Sequence, residues 1–144
     1  MIALLQRVRK ASVKVDDDCI GRIDQGILAL IGVQPEDDDA LLRLFVTRIL
    51  NYRMFSDVDG KMNLSLVDTQ GGLLLVPQFT LAANTRKGRR PSFTSAATPQ
   101  HGEKIFHAMV DVARSCYNTV ESGQFGADMQ VELINDGPVT FVLD

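Results

Sequence analysis

Gln78, Phe79 and Thr80 are the residues whose types and position suggest chemistry. They follow an apolar run that begins at Leu73, and Pro77 ends this run because proline cannot donate a hydrogen bond to a strand ladder. The pattern predicts a buried strand with an amide and a hydroxyl at its end. Strand ends in α/β folds often bind ligands. The alternative is a strand terminus whose polar side chains only satisfy local hydrogen bonds.

A second stretch, residues 135–140, reads Asn-Asp-Gly-Pro-Val-Thr and separates two strand-like runs, 129–134 and 139–143. Asn, Asp and Gly tolerate unusual backbone angles, and Pro138 has a fixed φ and no N–H donor. We therefore predict a hairpin turn between the two strands. Because Gly137 has no Cβ, the Gly-Pro unit could instead bring bare backbone close to another surface.

A cluster of cations follows the first stretch: Arg86, Lys87, Arg89 and Arg90 surround a glycine. Such a cluster can contact the phosphates of a nucleic acid, and a solvated surface loop is the alternative. No aromatic residue is interleaved with the cations. We therefore expect contact with the phosphate backbone rather than stacking on bases.

No other set of residues predicts a familiar catalytic site. The sequence has no Cys/His cluster at metal-ligand spacing, no Gly-x-Ser-x-Gly elbow, no phosphate-binding loop and no dinucleotide fingerprint. No serine or cysteine has a recognisable histidine and acid partner. His101 and His107 fall in the first turn and on the polar face of a predicted helix, so we expect both to be exposed. An enzyme of this sequence is expected to work without a metal, a cofactor or a triad.

The strands that position these residues follow from hydrophobic periodicity. Residues 1–8 and 11–15 predict two strands, and the continuously apolar run 27–33 predicts a central strand covered on both faces. The acidic stretches 16–18 and 56–61 predict hairpin turns, because a calcium loop needs a longer pattern of spaced oxygen ligands.

Two helices complete the predicted fold. The first opens with the acidic residues of 35–39, which suit the positive end of a helix dipole, and runs to about Asn51. The second begins at Thr98 and Pro99, a capping residue followed by a proline in the first position. Their apolar faces are predicted to comprise Leu41, Leu44, Phe45 and Ile49 in the first helix, and Ile105, Met109, Val112, Cys116 and Val120 in and after the second.

Length and composition predict one domain, residues 1–144, of an ordinary globular protein. The chain is 45% hydrophobic and 23% charged, and its net charge of -3 argues against a wholly basic nucleic-acid coat. No apolar run is long enough to span a bilayer, and the start lacks the pattern of a signal peptide. Cys19 and Cys116 make no disulfide framework, which favours a reduced, cytoplasmic protein with Cys116 in the core.

Several short motifs, taken together, make the chain similar to the D-aminoacyl-tRNA deacylase family. They run along essentially the whole chain in the family's order, at about the family's length. The motifs are Gln6-Arg7-Val8 with Ala11-Ser12-Val13, Gln78-Phe79-Thr80-Leu81, Phe125-Gly126-Ala127-x-Met129 and Asn135-x-Gly137-Pro138-Val139-Thr140.

The resemblance implies hydrolysis of the ester that joins a D-amino acid to the 3′ end of a tRNA, and removal of glycine mischarged on tRNA. It implies an α/β fold, a single compact domain with a curved, barrel-like mixed β-sheet and two main helices. It also implies a homodimer with active sites at the subunit interface. In the family the Gly-Pro peptide is cis and enters the other subunit's site, where Gly137 and Pro138 would exclude an L side chain.

The resemblance also suggests roles for other residues. The strand-end backbone at Gln78, Phe79 and Thr80 would hold the aminoacyl group. We expect N–H groups near Phe79 and Thr80 to stabilise the oxyanion while water attacks, assisted by the 2′-hydroxyl of the terminal adenosine. Thr80 as nucleophile is the alternative, although nothing supplies it with a base. Arg7 would brace the Gly-Pro loop, with a surface salt bridge as the alternative.

Phe125 and Met129 match a family segment that lines the pocket near the terminal adenosine, and core packing is the alternative. Pro77 departs from the family, in which many members have serine, so no role of that hydroxyl or backbone donor transfers to this chain. Two other functions stay open: a non-catalytic nucleic-acid-binding module on the same fold, and a hydrolase of a different small ester.

Overall fold

The computed structural model describes residues 1–86 and 88–144, and these residues form a series of strands interrupted by helices. Lys87, in the predicted cationic cluster, lies outside the described residues. The elements in chain order are β1 (Ile2–Val15), β2 (Asp18–Ile23), β3 (Gly26–Gly32), α1 (Asp39–Asn51), β4 (Phe55–Ser56), β5 (Met62–Leu64), α2 (Leu66–Thr69), β6 (Gly72–Pro77), a 3-10 turn (Phe79–Ala82), α3 (Pro99–Cys116), β7 (Val120–Ser122) and β8 (Gln130–Leu143).

The strand β1 is the central element of the sheet. Along one edge it pairs antiparallel with β8, from Ala3 to Lys14. Along the other edge β3 pairs with its first half and β2 with its second half. The prediction of two separate strands, 1–8 and 11–15, is therefore wrong. The exposed cations Arg9 and Lys10 lie within one strand because β8 pairs with β1 on both sides of the point where the pairing with β3 ends and the pairing with β2 begins.

The sheet is mixed and nearly closed into a barrel. Beyond β1 its order is β3, β6, β7, and these three strands are parallel to one another. The strand β2 curves back to contact β6 and β7, which brings the sheet close to closure. Gly26 and Gly72 face each other between β3 and β6, where a Cβ on Gly26 would lie 1.9 Å from the Gly72 carbonyl oxygen. Only glycine permits this approach.

Two hydrophobic cores lie on opposite faces of the sheet. Ile27 and Leu73 point towards the helices α1 and α3, whereas Leu28 and Leu74 point into the curve of the sheet, and all four are buried. The prediction of a central strand covered on both faces is thus confirmed for β3. Truncation of such a leucine to alanine typically costs about 2–5 kcal/mol, so both cores contribute to holding the ends of β3 and β6 in place.

Helix α3 begins where the sequence predicts, whereas α1 begins only at Asp39, the last residue of the predicted opening stretch 35–39, because residues 35–36 form a turn and Asp38 is the capping residue. The Asp38 carboxylate accepts a hydrogen bond from Leu41 N at 2.8 Å and caps α1. Thr98 caps α3 in the same way, and Pro99 takes its first position. The hairpin turns are also confirmed: Asp16 and Asp17 connect β1 to β2, and residues 57–61 connect β4 to β5.

Three side chains lie elsewhere than predicted. Leu44 is 59% exposed, because α1 packs through the neighbouring arc that contains Leu42 and Val46. Cys116, predicted in the core, is exposed because it is the last residue of α3 and the buried face ends at Ala113. His101 is half-buried rather than exposed, and its Nε2 lies 2.9 Å from the Asp37 carbonyl oxygen.

Candidate active site

A cavity of about 460 Å³ lies beside the ends of β3 and β6, the start of α3 and the segment that leads into β8. It brings together Gln78, Phe79, Phe125 and Met129, four of the residues selected from the sequence. The other lining residues are Ile31, Val33, Val76, Pro77, Ala97, Thr98, Pro99, Gly102, Phe106, Gly126, Ala127 and Val131. Among the described residues, none of the side chains that line the cavity can ionise. Within one chain, these residues leave acid–base chemistry in the cavity to water, to the substrate or to backbone groups.

The end of β6 shapes one wall of the cavity. Pro77 is in register with Ile31 of β3, and Gln78 N donates to the Ile31 carbonyl at 2.7 Å. The 3-10 turn starts directly afterwards, so the ladder ends at the proline, as the sequence predicts. Thr80 lies on this turn, is exposed, and is not among the residues that line the cavity.

The Thr80 hydroxyl has an amide as its neighbour. Gln78 Nε2 donates a hydrogen bond to Thr80 Oγ1. Within residues 1–86 and 88–144, no histidine or carboxylate forms a hydrogen bond with this hydroxyl. An amide N–H cannot accept the proton of an attacking hydroxyl, so the geometry provides no base for Thr80.

Two backbone donors stand at the start of the same turn. The N–H groups of Phe79 and Thr80 find no hydrogen-bond acceptor among the described residues, whereas Leu81 N and Ala83 N donate back to Gln78 and Thr80. The first N–H groups of any helical turn lack a partner within the turn. Adjacent unpaired donors of this kind can stabilise an oxygen that becomes negatively charged during a reaction.

The segment before β8 forms the opposite wall. The Phe125 ring packs over Gly102 of α3, where a Cβ would lie 3.2 Å from Phe125 Cζ, and its centroid is 6.5 Å from that of Phe106. Met129 Sδ accepts from Gln124 N at 3.4 Å. Phe125 and Met129 therefore both pack against the cores and line the cavity.

Residues 135–140 do not form a hairpin turn. The strand β8 continues through them, and both of its halves pair with β1 instead of with each other. Asn135 is in register with Val8 and Thr140 with Gln6, so residues 136–139 bulge out opposite Arg7 alone. The hairpin prediction is wrong because β1 is long enough to pair with both apolar runs.

The bulge is held by side chains at its base. The Asn135 amide accepts from Val139 N at 2.7 Å, and donates to the Val139 carbonyl and to Thr140 Oγ1 at 3.2 and 3.0 Å. Arg7 Nε donates to the Asp136 carbonyl at 2.8 Å, and Arg7 Nη1 to the Met54 carbonyl at 2.9 Å. These five hydrogen bonds fix the exposed Gly137-Pro138 unit, whose peptide bond is cis.

Glycine is required at position 137. Its φ of +147° is rarely adopted by L side chains, and a Cβ there would lie 2.6 Å from Val139 Cγ2 and 2.9 Å from Val139 N. Neither Gly137, Pro138 nor Arg7 lines the cavity of the same chain. A single chain therefore does not combine the Gly-Pro bulge with the cavity.

The described arginines of the cationic cluster, Arg86, Arg89 and Arg90, lie on a loop beside the 3-10 turn. Asn84 and Ser92 pair across the base of this loop, with N···O distances of 2.8 and 3.1 Å. Arg86, Arg89 and Arg90 are exposed, and none of them forms an ion pair with another described residue. The sequence gives no sign that Phe93, just beyond the loop, packs on Phe79, because the two residues are far apart in the chain.

The described residues whose pKa is shifted from its ordinary value do not line the cavity. Hydrogen bonds from Asn63 lower the pKa of Asp57, and those from Ser65 lower the pKa of Asp68. Burial raises the pKa of Tyr117, whose hydroxyl donates to the Leu66 and Gly71 carbonyls. Within residues 1–86 and 88–144, no three His, Cys, Asp or Glu side chains are grouped as metal ligands, and no helix is long and apolar enough to cross a membrane.

Comparisons with known proteins give a consistent result over the whole chain. A family model described as D-Tyr-tRNA(Tyr) deacylase matches residues 4–144. The D-aminoacyl-tRNA deacylase of Pseudomonas aeruginosa strain LESB58 is 58% identical over 144 residues, which cover 100% of this chain and 99% of that protein. The protein of the same name from Alkalilimnicola ehrlichii is also 58% identical, over 100% of this chain and 96% of its own.

Two solved structures share the fold. One, described as the c-Myc DNA Unwinding Element Binding Protein, has a TM-score of 0.95 and 39% sequence identity, and covers 100% of this chain and 98% of its own. The other, described as a probable eukaryotic D-amino acid tRNA deacylase, has a TM-score of 0.87 at 18% identity, covering 99% and 97%. The second resemblance concerns the fold alone.

Proposed function

The chain belongs to the D-Tyr-tRNA(Tyr) deacylase family, and on this premise we propose how it acts as a D-aminoacyl-tRNA deacylase. The enzyme hydrolyses the ester between a D-amino acid and the 3′ end of a tRNA. The products are the free amino acid and the tRNA with its terminal hydroxyl restored. Aminoacyl-tRNA is used in translation, so the proposal includes a cytoplasmic location.

The proposed mechanism rests on one observation: no described side chain in the cavity can ionise, and two unpaired backbone donors lie next to it. Water attacks the ester carbonyl carbon, and the N–H groups of Phe79 and Thr80 stabilise the oxyanion. The bond from carbon to the tRNA oxygen then breaks, and this oxygen takes up a proton. The 2′-hydroxyl of the terminal adenosine assists the transfer of the proton from the attacking water. The side chains of Gln78 and Thr80 hold the turn in shape and do not form a covalent intermediate.

The proposal assigns chiral selection to Gly137 and Pro138. Their bulge is exposed, rigidly held and free of a Cβ at Gly137. In a homodimer it would enter the cavity of the second copy, where its backbone would leave room for a hydrogen or a D substituent at the α-carbon. An L side chain would collide with it. Glycyl-tRNA, which has no side chain, is therefore expected to be a second substrate.

A comparison of three substrates tests the reaction and the selection. D-Tyr-tRNA, L-Tyr-tRNA and Gly-tRNA are incubated with the enzyme, and loss of the ester is followed. We expect cleavage of the D-tyrosyl and glycyl esters, with the L-tyrosyl ester left intact. Cleavage of the L ester at a comparable rate would disprove the steric selection. If the enzyme hydrolysed other small esters as fast as D-Tyr-tRNA, this result would favour the alternative of a hydrolase that acts on a different small ester.

Mixing two inactive variants tests the shared site. Gly137→Ala damages the bulge, and Phe79→Pro removes a backbone donor from the cavity. A mixed dimer would contain one intact bulge opposite one intact cavity, so random exchange of subunits should restore about a quarter of the wild-type activity. No recovery, with mixed dimers demonstrated by mass spectrometry, would show that bulge and cavity act within one subunit.

A nucleic-acid-binding module is the second candidate function. It is favoured by the 39%-identical solved structure, which has the name of a DNA-binding protein, and by the exposed cations Arg86, Arg89 and Arg90. Retained binding of tRNA without cleavage of any of the three esters would establish this function in place of the enzyme.

A further inference from the structure

Phe79 and Phe93 form an aromatic pair at the surface beside the cavity. Their ring centroids are 5.1 Å apart with planes tilted by 50°, and they are 56% and 42% exposed. They are the exposed phenylalanines of the described residues. Exposed apolar patches can mark binding sites, and a tilted aromatic pair leaves ring faces open for a further flat group.

The pair is connected to both the cavity and the cationic loop. Phe79 lines the cavity. Phe93 follows Ser92, which closes the loop of Arg86, Arg89 and Arg90 by pairing with Asn84. Arg90 is three residues from Phe93, a Cα distance of at most about 11 Å. An aromatic surface, a set of cations and the cavity therefore lie within a short distance of one another.

The backbone around Phe93 is fixed by hydrogen bonds on both sides. Ser95 Oγ donates to the Ala82 carbonyl at 2.7 Å, which connects the segment to the end of the 3-10 turn. Ala96 N donates to the Phe93 carbonyl, and Ala97 N donates to the Val33 carbonyl beyond β3. The ring of Phe93 is thus presented from an ordered segment, which lowers the entropy lost when a ligand binds.

We propose that Phe93, with Phe79, forms a stacking surface for an unpaired base of the tRNA 3′ end, upstream of the terminal nucleotide whose ester lies in the cavity. Aromatic rings stack on any base, and nearby arginines contact the phosphates between successive nucleotides. The inference rests on the proposed function, and it extends the bound substrate beyond the terminal adenosine. The stacking surface gives the enzyme a preference for an aminoacylated polynucleotide over aminoacyl-adenosine alone.

The test compares two substrates with Phe93→Leu, Phe93→Tyr and the wild-type enzyme. The substrates are D-Tyr-tRNA and the minimal ester 3′-D-tyrosyl-adenosine. Stacking on an aromatic side chain typically changes affinity about 5- to 150-fold per base. We expect Phe93→Leu to raise KM for D-Tyr-tRNA about tenfold or more, with kcat and the cleavage of the minimal ester unchanged. Phe93→Tyr, which keeps a ring face, should restore the wild-type KM.

Other outcomes would overturn the proposal. An equal loss on both substrates would mean that Phe93 supports the cavity structurally, and an unchanged KM for D-Tyr-tRNA would mean that no base stacks there. A change of oligomeric state in Phe93→Leu, measured by light scattering, would mean that the aromatic pair is covered by a second protein chain. Failure of the proposed function itself is distinct, because the wild-type enzyme would then cleave neither ester.

The cations provide an independent measurement on the same surface. Each phosphate contact contributes a slope of about -0.7 to the plot of log affinity against log salt for single strands. We expect Arg89→Ala and Arg90→Ala each to flatten this slope for D-Tyr-tRNA by about that amount. Arg43→Ala, an exposed arginine on α1, serves as the control and should leave the slope unchanged. Unchanged slopes in Arg89→Ala and Arg90→Ala would exclude these arginines from the proposed surface.

Discussion

Arg7 Nε lies 2.8 Å from the carbonyl oxygen of Asp136, and this hydrogen bond joins the centre of β1 to the bulge of β8. A second hydrogen bond from the same guanidinium, to the Met54 carbonyl, holds the arginine from the other side. Arg9 also contacts Asp136, but through the carboxylate at 3.3 Å and with a side chain that is 73% exposed. The two arginines therefore provide a matched pair for testing what positions the bulge.

We expect Arg7→Ala to lower kcat/KM for D-Tyr-tRNA by about 10- to 100-fold, because a misplacement near 1 Å at a reacting site has effects of this size. The variant should also lose about 3 kcal/mol or more of unfolding free energy, since Arg7 makes two half-buried hydrogen bonds and each such bond from a charged donor contributes about 1.5–3 kcal/mol. Steady-state kinetics and urea unfolding measure the two effects.

Arg9→Ala is the control, and it should change both quantities little, because exposed ion pairs contribute about 0–1 kcal/mol. Similar activity of Arg7→Ala and the wild-type enzyme would show that the bulge does not depend on Arg7.

Gly137→Ala should inactivate the enzyme. The added Cβ would meet the backbone and side chain of Val139 at 2.9 and 2.6 Å, so the bulge must move. We expect kcat/KM for D-Tyr-tRNA to fall about 100-fold. Gly60→Ala is matched to it, because Gly60 also has a positive φ, +77°, but a Cβ there has nothing within 4 Å.

The control Gly60→Ala should lose about 1–2 kcal/mol of unfolding free energy, because alanine must adopt a positive φ there, and it should keep its activity. If Gly137→Ala still cleaved D-Tyr-tRNA and still rejected L-Tyr-tRNA, the bulge would have no role in selection.

Thr80→Ala should retain substantial deacylation, within about tenfold of the wild-type rate, because the Thr80 hydroxyl has an amide and no base beside it. The rate is followed with D-Tyr-tRNA under saturating conditions. Abolished cleavage with unchanged tRNA binding would instead identify Thr80 as the nucleophile.

The backbone donor of Phe79 can be tested separately. Phe79→Ala removes the ring and keeps the N–H, whereas Phe79→Pro removes both, and proline is tolerated in the first position of a helical turn. We expect Phe79→Pro to cleave 3′-D-tyrosyl-adenosine about 10²- to 10³-fold more slowly than Phe79→Ala, the usual effect of losing one oxyanion donor. Equal rates would exclude this N–H from the mechanism.

Asp68 should stabilise the fold in a pH-dependent way. Its carboxylate accepts from Ser65 N at 2.8 Å and from Ser65 Oγ at 2.7 Å at the start of α2. These hydrogen bonds lower the pKa of Asp68 below its ordinary value of 3.8. The stabilisation is therefore complete above about pH 5 and is lost as the pH falls through the lowered pKa.

The urea midpoint of Asp68→Ala should lie below that of the wild-type protein at about pH 7, and the difference between the two midpoints should narrow as the pH falls from the ordinary value of 3.8 through the lowered pKa of Asp68. Asp59→Ala, in the exposed loop between β4 and β5, should show no such gap. A gap that stayed constant down to low pH would contradict this origin of the stability.

Local patterns were sufficient to predict much of the fold. The apolar run 27–33 predicted a strand buried on both faces, and Thr98 followed by Pro99 predicted the start of α3; both are confirmed. The predicted end of the β6 ladder at Pro77 is also confirmed, because proline lacks the N–H that would continue the ladder and this effect is local to residue 77. These features depend on side chains within a few residues of one another, which a single sequence displays directly.

Other features could not be predicted because they depend on which distant segments pair and on where the buried face of an element ends. Residues 135–140 have the composition of a turn, yet β1 pairs on both sides of them and makes them a bulge opposite Arg7. Cys116 continues the apolar pattern of α3, but the buried face ends one turn earlier. The pairing of Phe79 with Phe93 has no sequence signal at all.

The sequence by itself determined the family, the residue types of the candidate site and the glycine and proline that form the bulge, because these are properties of local composition and order. Only the tertiary structure decided that no described residue brings an ionisable side chain into the cavity and that the bulge lies outside the cavity of its own chain. Both features depend on how β1, β6 and β8 pair across the sheet. Strand pairing joins segments that are distant in the chain, and packing of the whole core decides which of them pair.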